Sequence, residues 1–296
     1  MRRWPARLWL GLLLVAVFWA VNWAGTGMRT HWAFFPLWLG YCLAVDGIVL
    51  VRRGTSLMTR SGTAYVGLFL ASVPTWWLFE LINHRTRNWI YLTDGSLGVV
   101  AELLLSSLCF STVIPAVFGT AELVATWRWV ERLRAGPRLS PGPGVLLAME
   151  GAGLAMIALV LLWPRYFFPL VWTSVYLIVE PVNALLGHRS LLDNTREGDW
   201  RAVLSLAVGA LVCGFFWEMW NTLSFPKWVY RVPFVDVLHV FEMPLLGYGG
   251  YVPFALELFA VYHFLAEPLS RGRVHGYVRI GPSGSPSGAE GVMTQG

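Results

Sequence analysis

Apolar runs of about twenty residues recur eight times along the chain. They lie near residues 8–24, 32–52, 63–83, 97–124, 145–163, 167–186, 202–221 and 237–265, and short arginine-, glycine- or proline-bearing segments separate them. Roughly twenty mostly apolar residues are what a helix needs to cross the hydrocarbon layer. A helix is the element to expect there, because it satisfies its own backbone hydrogen bonds where no water can. The ten-residue alternation of a membrane β-barrel is absent. The pattern predicts an all-α integral membrane protein with about eight transmembrane helices.

The polar positions inside these runs repeat. His31-WAFFPLWLGYCLAVDG matches Arg165-YFFPLVWTSVYLIVEP, and in each an acid, Asp46 or Glu180, follows ten or eleven residues after the proline. WWLFELINHRTRNWIY (76–91) matches FFWEMWNTLSFPKWVY (215–230). Both carry E-x-x-N followed by W-x-Y: Glu80, Asn83, Trp89 and Tyr91, then Glu218, Asn221, Trp228 and Tyr230. A further acid follows in each half, Glu102 and Glu242, and a deeper one, Glu122 and Glu257. Several motifs in the same order at similar spacing imply two parallel four-helix repeats, each holding an even number of helices and inserted the same way up. The expected organisation is a first membrane repeat over 1–134, a flexible Pro/Gly-rich cytoplasmic linker over 135–144, a second membrane repeat over 145–270, and a disordered cytoplasmic tail over 271–296.

Composition agrees with this class. The 296 residues are 56% hydrophobic and only 13% charged, where soluble domains carry about 25% charged residues. Mean hydropathy is +0.57. Of the 22 Lys and Arg, sixteen fall in segments that the span order puts on one side and six on the other. The positive-inside rule then places both termini in the cytoplasm, in a bacterial inner membrane. The net charge of +5 follows from topology and indicates no nucleic-acid partner; the bilayer itself is the partner expected. MRRWPAR followed by LWLGLLLVAVFWAV resembles a signal peptide, but no A-x-A-like site follows, so the segment is expected to stay as the first helix. Cys42, Cys109 and Cys213 sit singly in apolar runs, as small buried hydrophobes do.

Carboxylates inside spanning helices carry the candidate chemistry, because each costs several kcal/mol there unless it is sheltered or used. An outer tier holds Glu80, Asn83, Glu218, Asn221, Glu102 and Glu242, with His84 and His239 nearby. E-x-x-N sets acid and amide on one helix face, where the amide can orient the acid. Two such acids facing each other across a pseudo-twofold would form a general acid–base pair, with Glu242 assisting. The tryptophans Trp76, Trp77, Trp89, Trp217, Trp220 and Trp228, with Tyr230 and Tyr248, would bind substrate and stabilise cationic intermediates through their faces. The competing reading is that the aromatics form an interfacial belt and the acids lock the repeats together. An inner tier of Asp46, Glu180, Glu122 and Glu257 could relay protons or simply pair with loop arginines. Pro244, Gly247, Gly249, Gly250 and Pro253 break the last apolar run, either lining a cavity or packing closely through glycine. Glu80-x-x-x-His84 and His239-x-x-Glu242 have helical ligand spacing, yet six histidines in all are few for a membrane di-iron site, so no metal and no cofactor is expected. His31, His188, His263 and His275 fall near helix ends and carry no expected role.

WEMWN…KWVY (217–230) and FEMPLLGYGGYVPFALE (241–257) resemble the signatures of a family of uncharacterised bacterial multi-pass membrane proteins. Paired small helical units with intramembrane acids are also similar in architecture to the lycopene-cyclase-type membrane proteins, and that resemblance implies carboxylates that protonate an isoprenoid. The chain departs from them in lacking an adjacent acidic pair: Pro181 follows Glu180 and Gly47 follows Asp46.

Three functions remain open at this point. One is an intramembrane acid–base enzyme acting on a lipophilic small molecule, an isoprenoid or other lipid, in a cyclisation or isomerisation. It requires an aromatic pocket containing both motif glutamates. The second is a proton-coupled transporter, which requires a polar path between the tiers. The third is a scaffold in which every acid is paired.

Overall fold

The computed structural model of the chain describes residues 3–281. Its elements in order are α1 (Ala6–Ala24), α2 (Thr30–Arg53), the short α3 (Leu57–Arg60), α4 (Gly62–Thr86), strand β1 (Trp89–Leu92), α5 (Val99–Phe110), α6 (Val113–Val124), α7 (Pro143–Leu162), the short α8 (Pro164–Phe167), α9 (Val171–Leu186), the short α10 (Leu191–Arg196), α11 (Arg201–Asn221), strands β2 (Lys227–Tyr230), β3 (His239–Val240) and β4 (Met243–Pro244), and α12 (Tyr251–Ser270). Eight segments of the described chain are long and apolar enough to cross a membrane, as the apolar pattern predicts: α1, α2, α4, α5 with α6, α7, α8 with α9, α11, and the stretch Leu245–Ser270. The protein is an all-α multi-pass membrane protein.

One end of the bundle gathers the arginines. There Arg7 approaches Asp46, Arg53 donates to the Arg279 carbonyl and Arg60 to the Tyr277 carbonyl, so both ends of the described chain share this basic face. The opposite end carries the paired strands and is called the strand face below.

Packing follows the same scheme in both halves. α1 lies along α2 and α7 along α9, on the periphery, with few buried residues of their own. Each docks through a glycine. A Cβ on Gly11 would sit 2.6 Å from the Gly40 carbonyl oxygen, and one on Gly153 2.8 Å from that of Ser174, so only hydrogen allows the helices to touch. The inner helices exchange partners between halves: α6 packs on α11 and α12 on α4, while α12 also packs on α9 of its own half. Trp38 of α2 meets Trp217 of α11 at 5.0 Å between ring centroids, while Trp172 of α9 stacks on Phe79 of α4 at 5.6 Å. The halves therefore share one core and are not separable domains.

Helix breaks are repaired by side chains. α5 and α6 read as one run, but the chain turns between them. The Ser72 hydroxyl donates to the Phe110 carbonyl and accepts from the Ile114 amide, filling the gap in the ladder. In the second half the Glu257 carboxylate accepts from the Val175 amide near the start of α9.

Three sequence expectations need correction. The eighth span starts near Leu245 and not at 237, because residues 231–244 form a surface loop and the small β3–β4 hairpin before the chain turns inward at Leu245–Gly250. The linker 135–144 is pinned: Gly136 donates to Gly198, Leu139 to Thr195, and the Trp200 indole to the Pro137 carbonyl. The segment 271–281 is not a loose tail either. Val274, Tyr277, Val278 and Ile280 are buried, and the Tyr277 hydroxyl donates to the Leu57 carbonyl. Apolar side chains spaced three or four apart gave it a face to bury. The remainder of the expected tail, 282–296, lies outside the described residues.

Candidate functional site

The strand face is built from the E-x-x-N and W-x-Y motifs. In the first half the Asn83 amide donates to the Trp89 carbonyl at 2.8 Å, and its oxygen accepts from the Asn88 and Trp89 amides. In the second, the Asn221 amide donates to the Trp228 carbonyl at 2.7 Å and its oxygen accepts from the Trp228 amide at 3.0 Å. Each asparagine thus clasps the strand that follows its helix. The expectation that it orients the neighbouring acid is wrong, because the returning backbone offers it better-placed partners. The clasped strands pair antiparallel, Trp89 opposite Tyr230 and Tyr91 opposite Trp228. This register sets equivalent residues of the two motifs symmetrically about the centre of the ribbon.

The W-x-Y side chains then hold the acids. Glu80 Oε1 accepts from the Trp76 indole at 2.9 Å, the Trp89 indole at 3.0 Å and the Tyr91 hydroxyl at 2.5 Å. Glu218 Oε1 accepts from the hydroxyls of Tyr230 and Tyr251, both at 2.7 Å, and the Trp228 indole donates to Tyr230 in turn. Burial, and then the adjacent Glu218 carboxylate, push the Tyr230 phenol well above its ordinary value, so it keeps its proton and donates. Glu218 is fully buried and its Oε2 has no partner. Glu80 is half-buried and lines an open cleft of about 660 Å³ on the strand face with Trp77, Asn83, His84 and Arg87.

The two glutamates do not form a carboxyl–carboxyl pair; each is held by aromatics of its own half. Between these aromatic sets lies a cavity of about 80 Å³, lined by Trp76, Trp89 and Tyr91 on one side and Trp217, Trp228 and Tyr251 on the other. Phe34, Cys109 and Phe110 close it. Neither glutamate lines this cavity, so the aromatic pocket containing both of them is not formed; they reach it only through its lining phenols Tyr91 and Tyr251, which donate to Glu80 and Glu218. The volume admits a few non-hydrogen atoms, well short of the roughly 300–1,000 Å³ of drug-sized sites.

Other expected site residues fall elsewhere. Glu242 pairs with Lys227 at 2.5 Å on the strand-face surface and has no access to the cavity. Tyr248 donates to the Val240 carbonyl in the hairpin. Trp77 donates to Ser107 and faces the outer cleft. Trp220 packs against Trp38 and Trp19, away from the cavity. Tyr230 stands behind the cavity, bonded to Glu218.

The inner-tier acids have structural partners. Asp46 accepts from the Ser56 hydroxyl and the Met58 amide, and Arg7 approaches it at 3.1 Å. Glu180 accepts from the Ser190 hydroxyl at 2.7 Å and the Leu192 amide at 3.1 Å. The partners stand ten and twelve residues after the acid in both halves, and both acids hold the capping serine of a short helix, α3 or α10. Glu122 is engaged by Arg60 and the Arg279 amide. Between the tiers the core is mostly apolar, with Trp38, Phe79, Phe118, Leu206 and Phe254 fully buried, and Tyr41, Thr120 and Cys213 bonded to one another within it.

The sequence reading missed Tyr251, which follows a glycine pair and resembles an interfacial aromatic, and Phe34 and Cys109, which carry no polar signal. It also passed over His263, which is fully buried and bonded to Glu267 Oε1 at 2.9 Å, with His275 on the other oxygen. The H-x-x-x-E spacing inside an apolar helix was the available clue. Among the described residues no group of three or more His, Cys, Asp or Glu is arranged to hold a metal. Comparison of the chain with protein-family models, curated proteins and solved structures found no match.

Proposed function

We propose that this protein is an intramembrane acid–base enzyme acting on a lipophilic substrate with a reactive carbon–carbon double bond, an isoprenoid or related lipid. One observation carries the reading: Glu218 is fully buried in the last turn of α11 with one oxygen left unpartnered, and Tyr251, which donates to its other oxygen, lines an aromatic cavity. Glu122, Glu180 and Glu257 also keep one oxygen unpartnered, at the cost of an unmet polar atom, but their bonded partners lie away from the aromatic cavity, whereas Glu218 is bonded to one of its lining phenols.

In this reading Glu218 is the general acid, its proton passing to the substrate through the hydroxyl of Tyr251, which lines the cavity, and being replaced from water between turnovers. Glu80, which takes the substrate proton through the Tyr91 hydroxyl and opens to the strand face through its cleft, is the base that returns a proton to water. Tyr91 and Tyr251 position the two carboxylates, and Asn83 and Asn221 position the strands that carry the aromatics. A proton added to one carbon of the double bond and another removed from a neighbouring carbon shift the bond. No electrons are exchanged, so neither oxidant nor reductant is needed. The faces of Trp89, Trp217 and Trp228 would stabilise the intervening cation. The cavity takes only the reacting end, and the rest of the chain would lie against α5, where Val99, Val100, Leu103, Leu104 and Leu108 are exposed beside a single acid, Glu102.

The matched asparagine clasps, acid–serine caps and glycine contacts support two further inferences. The halves are copies of one four-helix unit, and they stand parallel about an axis through the strand pair. The excess of arginine on the basic face supports cytoplasmic termini in a bacterial inner membrane. Resemblance to lycopene-cyclase-type proteins supports the substrate class only at the level of architecture. The large apolar side chains that fill most of the core between the tiers favour an enzyme over a carrier.

The test is a lipid extract. Cells lacking the protein, complemented with wild type or Glu218→Gln and grown with D2O, should differ in one lipid, and the wild-type product should gain one carbon-bound deuterium. Glutamine still accepts from Tyr230 and Tyr251, so the variant should be present at wild-type levels. An unchanged lipid profile with Glu218→Gln would remove the enzyme assignment.

A further inference from the structure

On the basic half of the bundle, α4 and α12 diverge and leave a groove of about 520 Å³. Its walls are Gly67, Leu70 and Pro74 of α4 and Leu265 and Leu269 of α12. Its mouth, at the basic face, is polar: Ser61, Thr63, Ser270 and Arg273. From Ser61 to Pro74 a helix rises about 20 Å, slightly more than the roughly 15 Å depth of one leaflet's hydrocarbon. The groove therefore grades from cationic to apolar along the direction in which a lipid of that leaflet lies.

The charge at the mouth is uncompensated. Arg273 donates through Nε to the Ser270 carbonyl and has no acid partner among the described residues. Arg60, deep beside Tyr277 of the groove wall, keeps Nη1 buried and unpartnered. The nearby carboxylates are already engaged: Glu122 by Arg60 and the Arg279 amide, Glu267 by His263, His275 and the Arg189 amide. The equivalent crevice between α6 and α11 is shut, because Gly209 meets the Ala121 backbone so closely that a Cβ would lie 2.8 Å from its nitrogen. The groove is thus a property of one side of the molecule and not of the helix arrangement in general.

We infer that the α4–α12 groove is a site for one anionic phospholipid of the leaflet at the basic face, its acyl chain along Gly67 and Leu70 and its phosphate at Arg273. It is separate from the strand-face cavity and does not depend on the enzymatic reading.

The experiment uses the full chain in mild detergent, exchanged into phosphatidylglycerol or phosphatidylcholine and read by native mass spectrometry for retained lipid. Wild type should hold one phosphatidylglycerol and little phosphatidylcholine. Arg273→Glu should lower phosphatidylglycerol retention about tenfold, since each basic group near an anionic lipid contributes on the order of 1 kcal/mol. Gly67→Phe should abolish retention of both lipids. A Cβ at Gly67 meets nothing within 4 Å, so this variant should keep the wild-type melting temperature in lipid-free detergent. Equal retention of the two lipids by wild type, or undiminished retention in Gly67→Phe, means annular lipid only and overturns the site.

Discussion

At the scale of single residues, two neighbours on one helix turn do different work. Asn221 holds backbone: it donates to the Trp228 carbonyl and accepts from the Trp228 amide, and it is 1% exposed. Asn221→Ala leaves both backbone groups of Trp228 without a partner, at about 1–3 kcal/mol for each buried group. A melting temperature measured in detergent should fall by several degrees, and the strand should lose protection from hydrogen exchange. Glu218, one turn earlier, engages only hydroxyls that an amide oxygen would also accept from, so Glu218→Gln should melt near wild type. The sequence displayed the pair as E-x-x-N, and the identity of the important residues was legible from it. The division of labour was not: the asparagine's partner is backbone seven residues later, and an E-x-x-N spacing fits a local acid–amide contact equally well.

Elements were legible wherever the membrane imposes a length. Each helix must satisfy its backbone over about twenty apolar residues, so hydropathy alone placed seven of the eight spans within a few residues. The eighth was drawn too early because Val237, Leu238, Val240 and Phe241, apolar but exposed on the strand-face loop, extend the hydrophobic run. The inner acids stayed open between a proton relay and an arginine partner for the opposite reason. α3 and α10 are four and six residues long, too short to show a period. Their only signal is the capping pattern Ser56-x-x-Thr59 and Ser190-x-x-Asp193. Once these helices are seen, Asp46 and Glu180 become anchors that tie a short helix start to a spanning helix. Glu180→Ala should strip the Ser190 hydroxyl and the Leu192 amide of their acceptor, cost about 1–3 kcal/mol, and raise hydrogen exchange over 191–196 while leaving the strand face protected. Glu180→Gln, which keeps an acceptor oxygen, should restore most of it. If Glu180→Ala instead changed the lipid profile with exchange over 191–196 unaltered, the inner tier would have to be reassigned to the chemistry.

The molecule as a whole is two interlocked bundles joined by a connection that is part of the structure. Composition made 135–144 look like a loose tether, since Pro and Gly are as common in pinned turns as in flexible ones. What pins it is the turn at 195–201. Gly136 lies so close to the Trp200 ring that a Cβ would sit 2.3 Å from Cδ1, and Arg201 holds Asp199 through two hydrogen bonds of 2.9 and 2.8 Å. Burial raises the Asp199 carboxyl, but the Arg201 hydrogen bonds and charge outweigh it and hold the group below the usual carboxylate range. An acid depressed on folding contributes stability above its unfolded value, near 3.9, and loses it as pH falls through the folded value. The clasp should therefore be intact from neutral pH to about pH 4 and weaken below that. Thermal unfolding followed from pH 6 to pH 3 should show wild type losing stability in the lowest unit. Asp199→Asn should start lower, with Arg201 left without its closest partner, and lose less over the same interval. Parallel curves for the two proteins would show that the turn does not clasp the linker through this pair, and the interlocked packing of α6 on α11 and α12 on α4 would then hold the halves together without it.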